Sequence, residues 1–365
     1  MVLIMENRVM QEDFEYIYNE LSDADRSKFH DSNIVVTGAG GFIGYYLLNF
    51  LSEYASDLEI NNILALDTFI LGKPDWIDIL SRKFDFFHLK GFDVAKDDIG
   101  AISDIDRYDS IIHMASIASP TYYRKHPLVT LDANVWGLRK MLDYFSKRDP
   151  RGFLNFSSSE VYGDPDQAKV PMNEEYYGNV AINGPRACYD EAKRFGETMC
   201  YVFNKEFDMR IVSVRPFNNY GPGIKLNDAR APADFANSII NKKAIEIYSD
   251  GSDTRTFTYI SDAIVGYLKA LYYGKFDYFN IGMDKPEIRI SLLAKIFVEE
   301  GRKIFNQETE VRYLKSPDAD YLVNNPKRRV PDIAKAREKL RFNPKVTVNN
   351  GVSRFLQYLK EDTLK

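Results

Sequence analysis

Tyr189 and Lys193 are the two residues whose types and spacing most directly predict chemistry. They lie four positions apart in the stretch GPRACYDEAK, residues 184–193, and on a helix this spacing places both side chains on one face. An ammonium group beside a phenol lowers the phenol pKa from its usual value of about 10. The pair therefore predicts a tyrosine that takes a proton from a hydroxyl group while a hydride leaves the same carbon.

The helix that positions this pair is predicted to run to Phe203, with Pro185 in its first turn. Taken alone, Tyr-x-x-x-Lys is more typical of a half-buried aromatic ring beside a solvated lysine. The catalytic interpretation depends on partner residues elsewhere in the chain, and these lie upstream in the order that such a site requires.

A glycine-rich turn separates a predicted buried strand, residues 33–37, from a helical run, residues 45–54. Its glycines allow close approach of a pyrophosphate, and the helix N-terminus adds N–H groups and a positive dipole end. A tight strand-to-helix connection is the alternative. The context favours a dinucleotide site whose contacts include Gly38, Gly41, Phe42, Ile43 and Gly44.

Asp67 ends the next predicted strand, residues 63–66. A carboxylate at this position binds both ribose hydroxyls of NAD and repels the additional phosphate of NADP. The alternative is an ordinary aspartate in a turn. We therefore expect NAD rather than NADP.

Strands and helices continue to alternate along the chain, with further strands predicted at 84–89, 111–116, 153–156 and 211–214 and a helix at 128–147. This alternation is typical of an α/β doubly wound parallel sheet, a Rossmann fold, in which ligands bind at the carboxyl ends of the strands. The remaining residues expected to bind the dinucleotide are Asp93, Val94, Met114, Ala115, Ser116, Asn134, Ser157, Tyr189 and Lys193.

The chain divides into three predicted parts. Residues 1–31 form a helical extension, in which Met10, Phe14, Ile17 and Leu21 recur at helical spacing. Residues 32–215 are mainly the dinucleotide-binding domain. Residues 216–365 are mainly a smaller α/β substrate lobe that also returns to the first domain, with strands at 244–248, 278–281 and 311–314 and helices at 262–273 and 291–305.

Composition excludes several classes of function. The 365 residues carry a formal net charge of -5, which argues against general nucleic-acid binding. The sequence contains no apolar run of membrane-spanning length, and its four histidines show no metal-ligand spacing. We expect a cytoplasmic protein without a metal, a membrane partner or a nucleic-acid partner, and we expect Cys188 and Cys200 to be free thiols.

Taken together, these motifs resemble the extended short-chain dehydrogenase/reductase superfamily, the NAD-dependent epimerases and dehydratases of nucleotide sugars. Within it, the chain is most similar to UDP-glucuronate decarboxylases, also called UDP-xylose synthases. Four stretches carry this resemblance: 113–120 (HMASIASP), 158–165 (SSEVYGDP), 184–199 and 254–262 (TRTFTYISD). It covers the chain from about residue 33 to the end.

The resemblance implies NAD as cofactor, a UDP-sugar as substrate and oxidation at C4 of the sugar. Tyr189 would be the base, assisted by Lys193. The resulting ketone would make the C5 carboxylate a β-keto acid that loses CO₂ before NADH returns the hydride. The other implied residues are Ser158, Ser159, Glu160 and Arg255 at the sugar, and Ser119, Pro120, Tyr123, Asn218, Arg230 and Tyr248 in substrate binding.

Several alternatives remain open. A 4,6-dehydratase of this superfamily typically has Asp-Glu where this chain has Ser159-Glu160, and a plain 4-epimerase usually lacks the glutamate. A 4-epimerase shares the oxidation step, and a protein that binds NAD without catalysis is the alternative of another class. Singly, the serines could cap a turn and the charged residues could be solvated.

The superfamily also implies a homodimer that forms through the Tyr189 helix and the helix around 131–147. Exposed apolar residues there, such as Phe195, Met199 and Leu142, would fit such a contact.

Overall fold

The computed structural model describes residues 7–318, 320 and 322–363. Its helices are α1 (Arg8–Glu20), α2 (Asp23–Arg26), α3 (Phe42–Glu53), α4 (Asp75–Lys83), α5 (Pro120–Lys125), α6 (Pro127–Asp132), α7 (Leu138–Phe145), α8 (Ala187–Phe207), α9 (Ala231–Ile240), α10 (Ile260–Leu271), α11 (Ile290–Phe305), α12 (Ala334–Leu340) and α13 (Val348–Thr363). Its strands are β1 (Ser32–Thr37), β2 (Ile60–Asp67), β3 (Phe87–Gly91), β4 (Ser110–His113), β5 (Gly152–Phe156), β6 (Ile211–Pro216), β7 (Asn219–Tyr220), β8 (Ile245–Ile247), β9 (Thr254–Arg255), β10 (Thr258–Tyr259), β11 (Asp277–Ile281), β12 (Ile288–Arg289), β13 (Val311–Tyr313) and β14 (Arg328–Arg329).

A seven-stranded parallel sheet forms the centre of the molecule, in the order β11-β6-β5-β4-β1-β2-β3. The order reverses between β1 and β4, where Thr37 pairs with His113. In open α/β sheets this switch point opens a crevice at the carboxyl ends of the strands. The predicted fold class is confirmed.

Side chains alternate between two apolar layers on the faces of this sheet. Ile34 and Val36 of β1 pack into the layer that contains α3 and α10, whereas Val35 faces the layer that contains α7 and α8. Both faces of the strand are therefore buried, which explains why β1 has a continuous apolar sequence rather than an alternating one.

The C-terminal third returns to the main sheet. The strand predicted at 278–281 is β11, which pairs with β6 at the sheet edge. The helix predicted at 262–273 is α10, which packs behind β5 and β6. The smaller lobe retains α9, α11 and the short strands β8 and β13. The division into domains at residue 215 stays a prediction.

Two predicted helices have different limits in the structure. The helix around Tyr189 begins at Ala187, so Pro185 lies before it instead of in its first turn. The helix predicted at 128–147 is interrupted by a π-helical segment, Ala133–Gly137, between α6 and α7. Gly137 lies against Val94, where an added Cβ would be 2.5 Å from Val94 Cγ2.

The N-terminal helix α1 packs on the main body through the apolar side chains that its periodicity predicted. Asp13 is buried at this contact. It accepts hydrogen bonds from Tyr259 Oη at 2.7 Å, from Arg354 Nε at 2.8 Å and from Tyr46. None of the helices in the described part of the chain is long and apolar enough to cross a bilayer.

Candidate active site

A cavity of about 1060 Å³ opens at the carboxyl ends of the central strands and extends toward the C-terminal lobe. Nearly all of the predicted site residues line it. They are Gly38, Gly41, Phe42, Ile43, Gly44, Asp67, Asp93, Val94, Met114, Ala115, Ser116, Ser119, Pro120, Tyr123, Ser157, Ser158, Ser159, Glu160, Tyr189, Lys193, Asn218, Arg230 and Arg255. Two predicted residues, Asn134 and Tyr248, are not part of its lining.

The glycine turn after β1 has the geometry that a pyrophosphate site requires. Gly38 has a φ of +71°, and an added Cβ would lie 2.7 Å from the carbonyl carbon of Met114. Helix α3 begins at Phe42, and its N-cap residue, Gly41, supplies no side-chain cap. The first N–H groups of α3 are therefore available to an anion.

Asp67 combines a structural contact with exposure to the cavity. Its Oδ2 accepts a hydrogen bond from Gly40 N at 2.8 Å, and its Oδ1 accepts one from Phe69 N at 2.7 Å. A carboxylate oxygen can accept more than one hydrogen bond. Asp67 can thus fix the glycine turn and still accept hydrogen bonds from ribose hydroxyls.

Asn134 lies outside the cavity lining, so its predicted direct contact with the cofactor stays a prediction. Its Nδ2 donates to Ser116 Oγ at 2.9 Å and to Thr130 O at 2.7 Å. The π-helical segment places Asn134 beside the loop after β4, so that Ser116 rather than Asn134 faces the cavity.

Tyr189 and Lys193 share one face of α8, but their electrostatics differ from the prediction. Lys193 Nζ donates to Phe156 O at 2.6 Å and lies 5.6 Å from the centre of the Tyr189 ring. Burial raises the pKa of Tyr189 to about 12, and a hydrogen bond with Ser158 only partly opposes this. Burial lowers the pKa of Lys193 to about 7. Without a ligand, Lys193 therefore does not hold Tyr189 as a phenolate.

A buried ion pair fixes the serine segment that follows β5. Glu197, one turn after Lys193 on α8, accepts hydrogen bonds from Ser157 Oγ at 2.5 Å and from Arg215 Nε at 2.8 Å. Ser158 then caps the short 3₁₀ turn Ser159–Tyr162 through Glu160 N. The positions of the serines are thus set from both α8 and β6.

Glu160 lies between two guanidinium groups, from Arg186 and Arg329. Both donate hydrogen bonds to its Oε2, the one from Arg329 at 2.8 Å. Burial by itself would raise the pKa of Glu160, but the surrounding arginines reverse this and lower it below the usual value. Glu160 is therefore a fixed carboxylate of the cavity wall and not the solvated loop residue of the alternative interpretation.

Sequence reasoning assigned no role to Arg186 or Arg329. A signal for Arg186 was available, because it precedes Asp190 by four residues, a spacing that favours an ion pair on a helix. Its Nε lies 3.4 Å from Asp190 Oδ2. Arg329 gave no local signal, since 169 positions separate it from Glu160.

Arg255 is the third buried guanidinium of this region. It donates to the backbone carbonyls of Thr254 at 2.7 Å and Lys327 at 2.9 Å, and also to that of Pro326. Asp253 Oδ2 lies 3.9 Å away. Burial and the neighbouring Arg329 lower the pKa of Arg255 to about 9, so a nearby anion would stabilise its charged form.

The opposite wall of the cavity brings Ser119 and Arg230 together at Asp228. Ser119 Oγ donates to Asp228 O at 2.8 Å, and Arg230 pairs with the Asp228 carboxylate. Asn218 has a φ of +44° and its Nδ2 donates to Thr256 O at 2.9 Å. Tyr248, predicted to bind substrate, instead follows β8 outside the cavity and donates to Glu246 Oε2 at 2.5 Å.

Residues 34–282 match the model of the NAD dependent epimerase/dehydratase family. The chain belongs to this family. Its cofactor is accordingly NAD, as the sequence predicts. The match includes the glycine turn, Asp67 and the Tyr189 helix, and it ends just after β11.

Curated relatives confirm the predicted resemblance. The chain is 33% identical over 345 residues to UDP-glucuronic acid decarboxylase 1 of Danio rerio, which covers 94% of this chain and 75% of the relative. It is 32% identical over 332 residues to UDP-glucuronic acid decarboxylase 6 of Arabidopsis thaliana, with 89% of each chain covered.

Solved structures of the same fold include two epimerases. UDP-glucuronic acid 4-epimerase from Bacillus cereus, in complex with UDP-glucuronic acid and NAD, is 26% identical with a TM-score of 0.74, covering 90% of this chain and 99% of the other. UDP-glucose 4-epimerase from Thermotoga maritima is 23% identical with a TM-score of 0.78, covering 91% and 100%. The second likeness bears on the fold alone.

Proposed function

We propose that this protein is an NAD-dependent UDP-glucuronate decarboxylase that forms a UDP-pentose, UDP-xylose. The observation that carries the proposal is Arg255, a buried arginine at the cavity wall whose hydrogen bonds go to backbone carbonyls. The curated relatives named UDP-glucuronic acid decarboxylase support the reaction class.

The charges around Arg255 favour an acidic sugar over a neutral one. Arg186, Arg255 and Arg329 all line the cavity, and among the described residues Glu160 is the carboxylate that accepts hydrogen bonds from them. A buried cation is costly unless it is paired. Asp253 lies 3.9 Å from Arg255 without a hydrogen bond, so a uronate carboxylate would give Arg255 a hydrogen-bonded anionic partner. A planar guanidinium can bind such a carboxylate with two hydrogen bonds.

In the proposed reaction, Tyr189 takes the proton from the sugar O4, and Ser158 keeps the tyrosine hydroxyl oriented. When bound, NAD⁺ supplies the hydride acceptor and adds positive charge to the cavity. Arg255 holds the sugar carboxylate, and Glu160 keeps Arg186 and Arg329 in place beside it. Loss of CO₂ from a 4-keto acid places electrons on O4, where hydrogen-bond donors stabilise the developing charge.

Different parts of the cavity wall would bind the cofactor and the nucleotide of the substrate. The glycine turn and α3 would hold the pyrophosphate of NAD, Asp67 its ribose and Asp93 its adenine. Ser119, Asn218 and Arg230 would hold the UDP portion, where Arg230 can donate to phosphate oxygens. Lys193 would break its hydrogen bond to Phe156 O and contact the nicotinamide ribose.

The deciding experiment is incubation of the purified protein with NAD⁺ and UDP-glucuronate, followed by mass spectrometry of the nucleotide sugar. We expect CO₂ release and a UDP-pentose. A product of unchanged mass with an altered sugar would instead indicate a 4-epimerase, the activity named for the Bacillus cereus structure. Tight NAD binding with no turnover of any nucleotide sugar would indicate a protein that has lost catalysis.

We further propose a cytoplasmic homodimer formed through α8 and the α6–α7 segment. Phe195 is exposed there, as predicted, but Met199 and Leu142 are buried in the core and cannot form the contact. The large apolar side chains that are exposed on these elements, among the described residues, are Leu128, Val129, Trp136, Phe195, Tyr201, Val202 and Phe207. A monomer in sedimentation at micromolar concentration would contradict this arrangement, and no nucleic acid or membrane partner is proposed.

A further inference from the structure

Decarboxylation leaves a proton requirement that the residues assigned so far do not meet. If the proposed function holds, C5 of the sugar loses CO₂ and must then gain a proton. The resemblance to UDP-glucuronate decarboxylases implies Glu160 or Arg255 as the residue that manages this proton. Because two guanidiniums hold Glu160 as a carboxylate, it is a poor proton donor at neutral pH.

Three buried polar atoms near Glu160 have no hydrogen-bond partner among the described residues. They are Tyr123 Oη, Arg186 Nε and Asp190 Oδ1. All three residues are almost completely buried, with exposed fractions of 1%, 5% and 4%. Buried polar groups are rarely left unpaired, and a water molecule bonded to such groups is the usual solution.

Two of the three residues line the cavity, and the third is paired with one of them, since Asp190 Oδ2 lies 3.4 Å from Arg186 Nε. The Tyr123 ring is stacked on the Tyr189 ring, with centres 5.1 Å apart and an angle of 10° between the planes. Tyr123 and Arg186 line the cavity, whereas Asp190 lies behind them on α8. Tyr123 also interacts electrostatically with Arg186, Glu160 and Asp190.

We propose that Asp190 is the buried acid that replaces the proton delivered to C5, and that Tyr123 passes this proton into the cavity through a buried water. Asp190 does not touch the substrate and acts through Tyr123. Tyr123 is therefore the proton-donating catalytic residue of this step, and Asp190 is the residue that recharges it.

The groups around Asp190 allow it to carry a proton near neutral pH. Arg186 faces it from its own helix, Tyr123 from α5, Glu160 from the turn after β5 and Arg329 from the C-terminal lobe. Burial and then the Glu160 carboxylate raise the pKa of Asp190 to about 7, against the opposing effect of the two arginines.

The C5–carboxylate bond breaks, CO₂ leaves, and the bonding electron pair passes into the enolate of the 4-ketone. A C5–H bond then forms with the proton of the Tyr123 hydroxyl, which regains a proton from the Asp190 carboxyl group through the water. Asp190 is left as a carboxylate and takes a proton from solvent, so one proton is consumed for each CO₂ released.

The test uses D190N and Y123F in the full chain with bound NAD and UDP-glucuronate. In single-turnover experiments we expect NADH to form at close to the wild-type rate and its reoxidation to slow by about 100-fold, within the range of general acid catalysis. Product made in D₂O should carry deuterium on one face of C5 in the wild type and on both faces in the variants. The decline of wild-type activity above pH 7 should disappear in D190N.

The matched control is D234N. Asp234 is a partly buried residue of α9, and burial raises the pKa of its carboxyl group to about 6. It does not line the cavity. We expect D234N to keep wild-type reoxidation of NADH. Single-face deuteration and normal reoxidation in Y123F or D190N would overturn the relay. If D190N does not fold, Y123F alone decides, because it removes one hydroxyl and no charge. A wild-type protein that releases no CO₂ would overturn the proposed function itself.

Discussion

The two ends of the cavity are built in different ways. At the dinucleotide end, the glycine turn and Asp67 lie within 30 positions and on adjacent strands, β1 and β2, joined by a hydrogen bond from Gly40 N to Asp67. At the other end, the proposed acidic-sugar end, Glu160 accepts hydrogen bonds from Arg186 and Arg329, and Arg329 is 169 positions away from it. The first end is a local motif, and the second exists only in the folded chain.

Helix α8 connects these two ends. Arg186, the N-cap residue of α8, is one of the three arginines that line the cavity. Lys193 lies two turns later and donates a hydrogen bond to the carbonyl of Phe156, the last residue of β5. Tyr189 lies between them. The proposed reaction needs both ends at once, because a hydride moves on one side of the sugar and a carboxylate is held on the other.

The largest expected effect is that of Y189F, since Tyr189 is the proposed base and lies between the two ends of the cavity. Removing the hydroxyl removes the base and should lower kcat by about 10³-fold, within the range of general base catalysis. NAD content should be unchanged, because the glycine turn and Asp67 remain. Turnover and NAD content are to be measured on the same preparation. Near-normal turnover would mean that Tyr189 is not the base.

A second variant, R255Q, tests the acidic-sugar end alone. Loss of a charge-assisted hydrogen bond to a carboxylate costs about 1.5–3 kcal/mol, so kcat/KM for UDP-glucuronate should fall by roughly 10- to 100-fold. Binding of NAD⁺, measured by calorimetry, should stay the same.

The matched control for R255Q is R328Q. Arg328 precedes Arg329 but pairs with Glu287 at 2.7 Å and does not line the cavity. We expect near wild-type kcat/KM for R328Q. Equal losses in the two variants would show that the arginines of this lobe act through stability and not through the substrate.

A third variant, D67N, tests the dinucleotide end. An asparagine has one side-chain acceptor oxygen in place of two, so it cannot bond Gly40 N, Phe69 N and the ribose as Asp67 can. It also no longer repels the NADP phosphate. We expect the preference for NAD over NADP to fall by roughly 10-fold, the effect of about 1.4 kcal/mol, with binding of UDP-glucuronate unchanged. An unchanged preference would remove Asp67 from cofactor selection.

The smallest expected effect concerns the stability of the ligand-free protein. Because the folded pKa of Lys193 is about 7 and its usual value is 10.5, the folded state binds fewer protons than the unfolded state between these pH values. The contribution of Lys193 to stability therefore rises with pH across that window. K193M should be more heat-stable than the wild type at pH 7, by roughly 2–4 °C for each kcal/mol gained, and the gain should shrink toward pH 10.

The control for K193M is K205M, which changes an exposed lysine in the last turn of the same helix. Thermal unfolding across pH should show no comparable gain for K205M. A K193M protein that is less stable than the wild type at pH 7 would mean that the hydrogen bond to Phe156 O outweighs the burial of the ammonium.

Much of the fold could be predicted from the sequence because the patterns that indicate strands and helices are local. Apolar runs predicted β1, β2, β5 and β6 to within a few residues, and the spacing of Phe14 and Ile17 predicted α1. Sequence reasoning did not find that β11 completes the main sheet, since strand pairing is a long-range property. The π-helical interruption of the 128–147 helix was not predicted either; in this segment Gly137 packs against Val94, a residue distant in the sequence.

The same difference between local and long-range signals applies to the site. The glycines, Asp67, Ser158 and Tyr189 line the cavity, and the sequence indicates them because spacing within one strand or helix fixes their directions. Asn134 and Tyr248 lie outside the cavity lining, and their direct contacts stay predictions, since the sequence does not show which side chains face a cavity. The pKa of Tyr189 was predicted to be lowered, but burial of the phenol raises it in the folded chain.

The sequence by itself determined the family, the parallel sheet, the cofactor and the tyrosine at the centre of the site, because each depends on periodicity or on a motif that is contiguous in the chain. Only the tertiary structure decided that Glu160 is an ionised carboxylate between Arg186 and Arg329, that Arg255 is bonded to backbone carbonyls, and that Asp190 is buried behind Tyr123. Charge state and burial depend on which distant segments surround a group, and a linear sequence does not contain that information.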